Sequence, residues 1–358
     1  MKSRPMLIIA EAGVNHNGNS DLAFNMVDAA AEAGVNAIKF QTFDTDKLVT
    51  RTAPKADYQK NCRDLSESQY SMLSKLELDH SIFRDLKRYS ESKGLMFMST
   101  AFDLNSLRFL QEDLQLNLYK IPSGEITNAP LLLKYANAKR NIILSTGMCT
   151  IEEIEMALGI LAFGFLGLSD PSIELFGKAY RSNEGKEILK EKVALLHCTS
   201  EYPTPDASAN LNAMGTLRDI FGLRVGYSDH TLGLLAPCAA AALGAEIFEK
   251  HFTLDKTAIG PDHSASLDPN ELKEMVRVIR SVEIMLGSGE KIPTPGEVLN
   301  KRAARKSITA SDVIDKGSEF TVENITTKRP EGGRSPTEFW DMLGRVSSRS
   351  YSFDEKIE

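Results

Sequence analysis

Lys39 in AIKFQT and Lys120 in LYKIPSGE both sit among apolar residues, so a folded chain would carry both ammonium groups out of water. An isolated buried charge is costly, and each lysine therefore needs an anion. One solution is a phosphate or carboxylate ligand, with Thr100, Ser123 and Ser228 as nearby hydroxyl donors. The plainer solution is internal pairing with Glu11 and Glu125. A third chemistry is a Schiff base between a lysine and a carbonyl substrate, which borohydride would trap. The histidines add a second element. His230 closes YSDH and His251 closes FEKH, so two imidazoles converge if those segments are neighbours. Two His ligands leave a divalent ion with positions open for water and substrate, whereas a closed structural zinc normally takes four protein ligands. Asp262 and His263 in GPDHSAS can add an oxygen or nitrogen contact. A lone histidine is more simply read as a hydrogen-bonded rim residue; it is the pairing that favours metal. His80 and His197 are given no role.

The elements that carry these residues alternate. Compact apolar runs of strand length occur at Met6–Ala10, Ala37–Gln41, Leu95–Ser99, Leu118–Pro122, Asn141–Ser145, Val193–Cys198, Arg224–Tyr227 and Ile247–His251. Amphipathic stretches at Leu22–Ala33, Ser81–Ser92, Leu104–Leu110, Ile151–Leu161 and Leu234–Leu243 read as helices between them. Eight strands alternating with helices predict an α/β fold of the closed (β/α)8 TIM barrel type. An open doubly wound sheet is the alternative, but no GxGxxG turn follows the first strand. In a barrel, the C-terminal strand ends face the active site, and that is where the polar candidates lie. Two insertions break the rhythm. Phe43–Asp79 follows a strand end and suits a lid or substrate loop; Phe163–Lys192 reads equally as a surface excursion.

The barrel helix ending near Leu286 is followed by GSGEKIPTPGEVLN, whose Gly and Pro suggest a linker. From Lys301 the pattern changes to short β-like pieces, Ser307–Ala310 and Glu319–Phe320, and a basic cluster Lys328-Arg329-Pro330. Composition excludes other classes. The chain has 358 residues, 42% hydrophobic, with a formal net charge of −7, enough for a large packed domain plus a small one and ill suited to nucleic acid. The apolar runs are too short to span a membrane, so no membrane partner is expected. Four scattered cysteines without a CxxC pair point to reduced thiols and a cytoplasmic location.

Taken in order, AEAGVNHNG, IKFQT, MST, YKIPSGE, ILSTGM, LLHCTSEYPTP, GYSDHT, EKHFT and GPDHSAS resemble the sialic acid synthase family, which joins phosphoenolpyruvate to an N-acylated mannosamine-type sugar. SITASDVIDKGSEFTVENITTKRP resembles the antifreeze-like (SAF, β-clip) module of these enzymes. The resemblance spans nearly the whole chain. It implies a synthase barrel over 1–288, a linker over 289–300 and a substrate-capping SAF domain over 301–358. It also implies that Lys39, Lys120, Thr100, Ser123 and Ser228 hold the phosphate and carboxylate of phosphoenolpyruvate, and that His230 and His251 bind Mn2+ or Mg2+. Glu11, Gln41, Glu125, Tyr202 and Asp262 match polar positions around the sugar and metal. Glu125 leads as the group that handles the proton of an attacking water, with Glu11 its rival. Ser200 stands where some relatives carry Asn, which weakens one phosphate contact. Arg329 matches an arginine that reaches the sugar's N-acyl group in the partner subunit, implying a domain-swapped homodimer. The implied activity is N-acetylneuraminate synthase. The alternative is an N,N′-diacetyllegionaminate or pseudaminate synthase using a 6-deoxy diacetamido sugar, and a reading of a different class is a non-catalytic sugar-binding protein.

Overall fold

The structure is a computed structural model that describes residues 5–56 and 68–358. Cys62 and the middle of the first insertion lie outside the described residues. Two compact units divide the chain, Met1–Ser288 and Gly289–Glu358.

The first unit holds eight parallel strands: β1 (Leu7–Gly13), β2 (Ala37–Thr42), β3 (Met96–Ala101), β4 (Leu118–Ile121), β5 (Asn141–Ser145), β6 (Val193–His197), β7 (Arg224–Asp229) and β8 (Ile247–His251). They are hydrogen-bonded in the order β3-β2-β1-β8-β7-β6-β5-β4, and the end strands β3 and β4 lie side by side to complete a near-closed barrel. Helices alternate with the strands, as the sequence predicts. Helix Ser20–Ala33 begins where the Asn19 side chain accepts from Leu22 N and ends at Gly34, which takes the left-handed φ of 80° that a Cβ disfavours. Pro269–Leu286 opens on a capping box between Asp268 and Glu271.

Strand alternation explains how this barrel becomes a site. Ile9, Met98, Ile143, Leu196 and Ile247 fill the lower interior as one apolar layer. Two residues further along each strand, the same inward direction is occupied by Glu11, Thr100, Ser145, Cys198 and Glu249, so the upper layer is polar. Gly226 belongs to the packed lower layer: a Cβ there would fall 2.2 Å from Ile247 O. The opposite faces of the strands pack against the helices in a much larger apolar core that includes Ile8, Phe40, Tyr119, Leu144 and Phe248.

Several boundaries differ from those expected. β1 runs on to Gly13, which brings Glu11 into the ladder. The helix from Leu104 stops at Arg108 and widens into a turn over Phe109–Asp113, where Leu114 N bonds Phe109 O. The second insertion is no loose surface excursion. Its helices Ile173–Arg181 and Asn183–Lys192 pack on Ile151–Leu166, where Gly159 admits the backbone of Phe176; a Cβ would be 2.7 Å from Phe176 O. The stretch expected to link the two units also carries structure, since Pro295–Ala304 is a helix capped by Thr294.

The second unit contains an antiparallel pair, β9 (Ser307–Ala310) and β10 (Ile325–Lys328). Glu319–Phe320 is not a strand; Glu319 makes a single bridge to Val346. Ile308, Ile314, Phe320, Ile325, Tyr351 and Ile357 form a separate small core.

Candidate active site

A cavity of about 1000 Å³ opens at the C-terminal end of the barrel. Of the candidates in the first unit, all but His263 line it: Glu11, Lys39, Gln41, Thr100, Lys120, Ser123, Glu125, Ser200, Tyr202, Ser228, His230, His251 and Asp262. Arg329 belongs to the second unit, where it is exposed just past β10. A smaller recess of about 420 Å³ lies at the opposite end beside Leu7, Leu118 and Ile247, and its rim residues Lys87 and Arg224 are already paired with Glu91 and Glu246.

The two lysines do meet. Lys39 Nζ lies 2.7 Å from Glu11 Oε2 and 3.4 Å from Thr100 Oγ1. Lys120 does not pair with Glu125, as sequence proximity suggested; its partner is Glu249, at 3.2 Å. Glu249 also approaches Lys39 at 3.7 Å and accepts a hydrogen bond from Ser228 Oγ at 3.0 Å. All four charged groups are buried. Burial pushes the Lys120 ammonium below the usual lysine range, with Lys39 adding to the shift and Glu249 opposing it. Burial and repulsion from Glu249 raise the Glu11 carboxyl despite Lys39, while the two lysines overcome burial to hold Glu249 firmly ionised. For Lys39, burial is outweighed by Glu11 and Glu249, and its pKa rises. Two lysines converge here with a carboxyl whose affinity for protons is raised, an arrangement able to take up an incoming phosphate or carboxylate.

A hydroxyl cradle adjoins the lysines. Ser123 Oγ accepts from Gly147 N at 2.8 Å and lies 3.2 Å from Cys198 Sγ. A Cβ on Gly147 would be 2.5 Å from Ser200 Oγ and 2.9 Å from Cys198 Sγ, so glycine is what lets these side chains converge. Glu125 occupies the short turn Ser123–Glu125 after β4 and accepts from Asn128 Nδ2 at 2.7 Å. Burial raises its carboxyl, with the Asn128 bond working the other way.

His230 and His251 stand on neighbouring strand ends with ring centres 5.6 Å apart. Tyr202 covers both, 4.1 Å from the first ring and 5.8 Å from the second. His230 Nδ1 lies 2.6 Å from Thr199 O; a carbonyl only accepts, so Nδ1 carries the proton and Nε2 the lone pair. His251 Nδ1 is buried without a hydrogen-bond partner among the described residues and lies 3.9 Å from Asp262 Oδ2. Burial lowers both imidazoles, His230 to about 4 despite the Thr199 carbonyl and His251 well below the usual histidine range, and raises Asp262 to about 6. Two neutral imidazoles with an available nitrogen fit a divalent ion. Among the described residues no group of three or more His, Cys, Asp or Glu gathers as a metal cluster. His263 is no added ligand: its nitrogens meet Thr253 Oγ1 at 2.7 Å and Asn17 Oδ1 at 3.2 Å. His197 bonds Ala209 O at 2.9 Å, and His80 stacks on Phe109.

The sequence matches the NeuB family over residues 26–291. The chain belongs to the NeuB family. It is 44% identical to the N,N′-diacetyllegionaminic acid synthase of Campylobacter jejuni over 98% of both chains. It is 45% identical to the N,N′-diacetyllegionaminic acid synthase of Legionella pneumophila, over 98% of this chain and 92% of that one. The N-acetylneuraminic acid (sialic acid) synthetase structure from Leptospira borgpetersenii superposes with a TM-score of 0.66 at 33% identity, covering 83% of this chain and 90% of that one. This NeuB-family chain is thus an enzyme of the sialic acid synthase type, as its motifs suggested. Glu249 is the site residue that motif reading passed over. Its signal was present: in FEKH it shares the inward face with His251.

Proposed function

We propose that this enzyme condenses phosphoenolpyruvate with an N-acylmannosamine-type sugar and water, giving a nonulosonic acid and inorganic phosphate. The observation that carries the reading is the buried cluster of Lys39 and Lys120 with Glu11 and Glu249, two cations at one cavity floor beside two metal-competent imidazoles. Lys39 and Lys120, with Thr100, Ser123, Ser200 and Ser228, hold the phosphate and carboxylate of the donor. Its C3 then faces the open-chain aldehyde in attack geometry. A divalent ion held by His230 and His251, Mn2+ or Mg2+, would supply Lewis acidity at the aldehyde oxygen. C3 forms the new C–C bond and the aldehyde oxygen takes up a proton. Glu125 accepts a proton from the water that adds to the former enol carbon, and Glu11 and Asp262 orient the surrounding polar groups. Cleavage of the C–O bond to phosphate leaves a ketone. Phosphoenolpyruvate labelled with 18O at the bridging position tests this route: the label belongs in inorganic phosphate, and its appearance in the sugar acid would overturn it.

The N-acetylneuraminate reading of the motifs gives way to the legionaminate alternative. The relatives named for legionaminic acid share more of this sequence than the sialic acid synthetase does. The cavity supports the same choice, because Val14, Phe43, Leu48, Val49, Met72, Leu73 and Phe102 add apolar surface to its lining. A 6-deoxy methyl group is at home there and a 6-phosphate is not. The acceptor proposed is 2,4-diacetamido-2,4,6-trideoxymannose. The second unit, read as an SAF module, caps the sugar, with Arg329 reaching the N-acyl group of the partner subunit's substrate in a domain-swapped homodimer; this part rests on motif resemblance. No helix among the described residues is long and apolar enough to cross a membrane, and Cys149, Cys198 and Cys238 are free thiols, which fits a cytoplasmic reaction.

A further inference from the structure

Behind the barrel wall, Lys250 and Asp229 form an ion pair at 2.7 Å whose side chains are both 0% exposed. They are register partners across β7 and β8, and each immediately precedes one of the two imidazoles, Asp229 before His230 and Lys250 before His251. Because strand residues alternate, this pair points toward the helices while Glu249 and His251 point into the cavity. Its bonds reach the segment that carries His230. Asp229 Oδ1 accepts from Thr231 N at 2.9 Å, and Lys250 Nζ donates to Thr231 O in a short hydrogen bond. Both backbone groups of the residue after His230 are therefore held by the pair. His230 itself is held at its carbonyl by Thr204 N, at 2.8 Å, and at Nδ1 by Thr199 O.

Stability alone is a poor reason to bury such a pair. Taking two charges out of water is costly, and well-packed apolar replacements are often as stable. What an ion pair supplies and two leucines do not is a fixed, directional link. We infer that the Lys250–Asp229 pair is a positioning device that sets the spacing of the His230 and His251 imidazoles, and so the affinity of a divalent cation for them. The inference rests on the metal reading of those two histidines. Neither residue touches substrate; both act through the backbone of Thr231 and the strand leading to His251.

The test uses full-length protein freed of divalent ions by chelation, with Mn2+ binding followed by the EPR signal of the free ion and folding by circular dichroism and thermal melting. Wild type, Lys250→Met, Asp229→Asn and His230→Ala are compared. The expected result is folded Lys250→Met and Asp229→Asn proteins that bind Mn2+ at least about tenfold more weakly, as for other residues that orient metal ligands. Their affinity for phosphoenolpyruvate without metal should stay within about twofold of wild type, and excess Mn2+ should restore turnover. Asn keeps an oxygen for Thr231 N, so Asp229→Asn decides the matter if Lys250→Met fails to fold. Unchanged Mn2+ affinity in a folded variant overturns the positioning role alone, as does collapse of both variants, which would assign the pair to stability. Equal Mn2+ binding by wild type and His230→Ala overturns the metal reading, and the positioning role with it.

Discussion

Glu249 Oε1 lies 3.2 Å from Lys120 Nζ, and the other oxygen of the same carboxylate lies 3.7 Å from Lys39. One anion thus sits between two buried cations on three different strands. Glu11 pairs with Lys39 from a fourth strand, so both buried ammonium groups have a carboxylate partner and can exchange it for an anionic substrate. Removing either lysine leaves a buried carboxylate under-compensated and takes away a contact to the donor. Lys120→Met and Lys39→Met should each raise KM for phosphoenolpyruvate roughly a hundredfold, about 3 kcal/mol, as expected for truncating one member of a buried charged pair. Steady-state kinetics with the acceptor saturating measures this.

The same cluster predicts an alkaline limb. Burial lowers the Lys120 pKa, so in the free enzyme the ammonium form is present below that value and lost as pH rises through it. kcat/KM for phosphoenolpyruvate should therefore fall at a pH below the ordinary lysine range, while kcat, measured with the anion bound, holds to higher pH. Lys120→Arg, which does not deprotonate, should lower the plateau and abolish the limb. A limb that persists in the arginine variant would assign it to another group.

Glu125 predicts the acidic side. Its carboxyl is raised by burial and must be ionised to accept a proton, so kcat should fall as pH drops through that raised value. Asn128→Ala removes the hydrogen bond that opposes the shift and should move the limb to higher pH. Glu125→Gln should lower kcat by roughly a hundredfold or more while leaving KM for phosphoenolpyruvate within about threefold, as for loss of a general base. A comparable kcat in that variant would pass the role to Glu11.

Metal removal separates the two halves of the site. Chelation should abolish turnover but leave phosphoenolpyruvate binding detectable by calorimetry, because the lysine seat does not depend on the imidazoles. Mn2+ should restore activity to wild type and not to the His230→Ala/His251→Ala double variant. Full activity after chelation would refute the metal assignment.

The apolar lining predicts the acceptor. Leu73→Lys places a cation on the surface formed with Phe43, Leu48 and Phe102. It should lower kcat/KM for the 6-deoxy acceptor about tenfold, the usual scale for a disturbed apolar contact, and raise it for a 6-phosphorylated sugar. Competition between the two acceptors in one mixture reads the change directly.

The barrel was legible because its strands are compact apolar runs, and inward alternation carries Lys39, Lys120 and His251 to one end. What sequence spacing hides is pairing across strands. Glu125 is near Lys120 in sequence and was the natural partner, but it falls in the turn after β4 and leaves the strand's face, while the true partner, Glu249, arrives from β8. Pro295 misled for a related reason: proline breaks a chain and also opens a helix, and here it begins Pro295–Ala304. In the second unit β10 is only four residues long and ends at Lys328, inside the basic cluster, so its polar and basic residues hide the strand pattern.

The central claim is condensation at the lysine seat, and phosphate release from phosphoenolpyruvate tests it most directly. The assay compares N-acetylmannosamine, its 6-phosphate and 2,4-diacetamido-2,4,6-trideoxymannose, each with and without Mn2+. Stoichiometric phosphate and sugar acid are expected with the trideoxy sugar, dependent on Mn2+, and slower or no release with the other two; absence of release with all three acceptors would rule out condensation at this site.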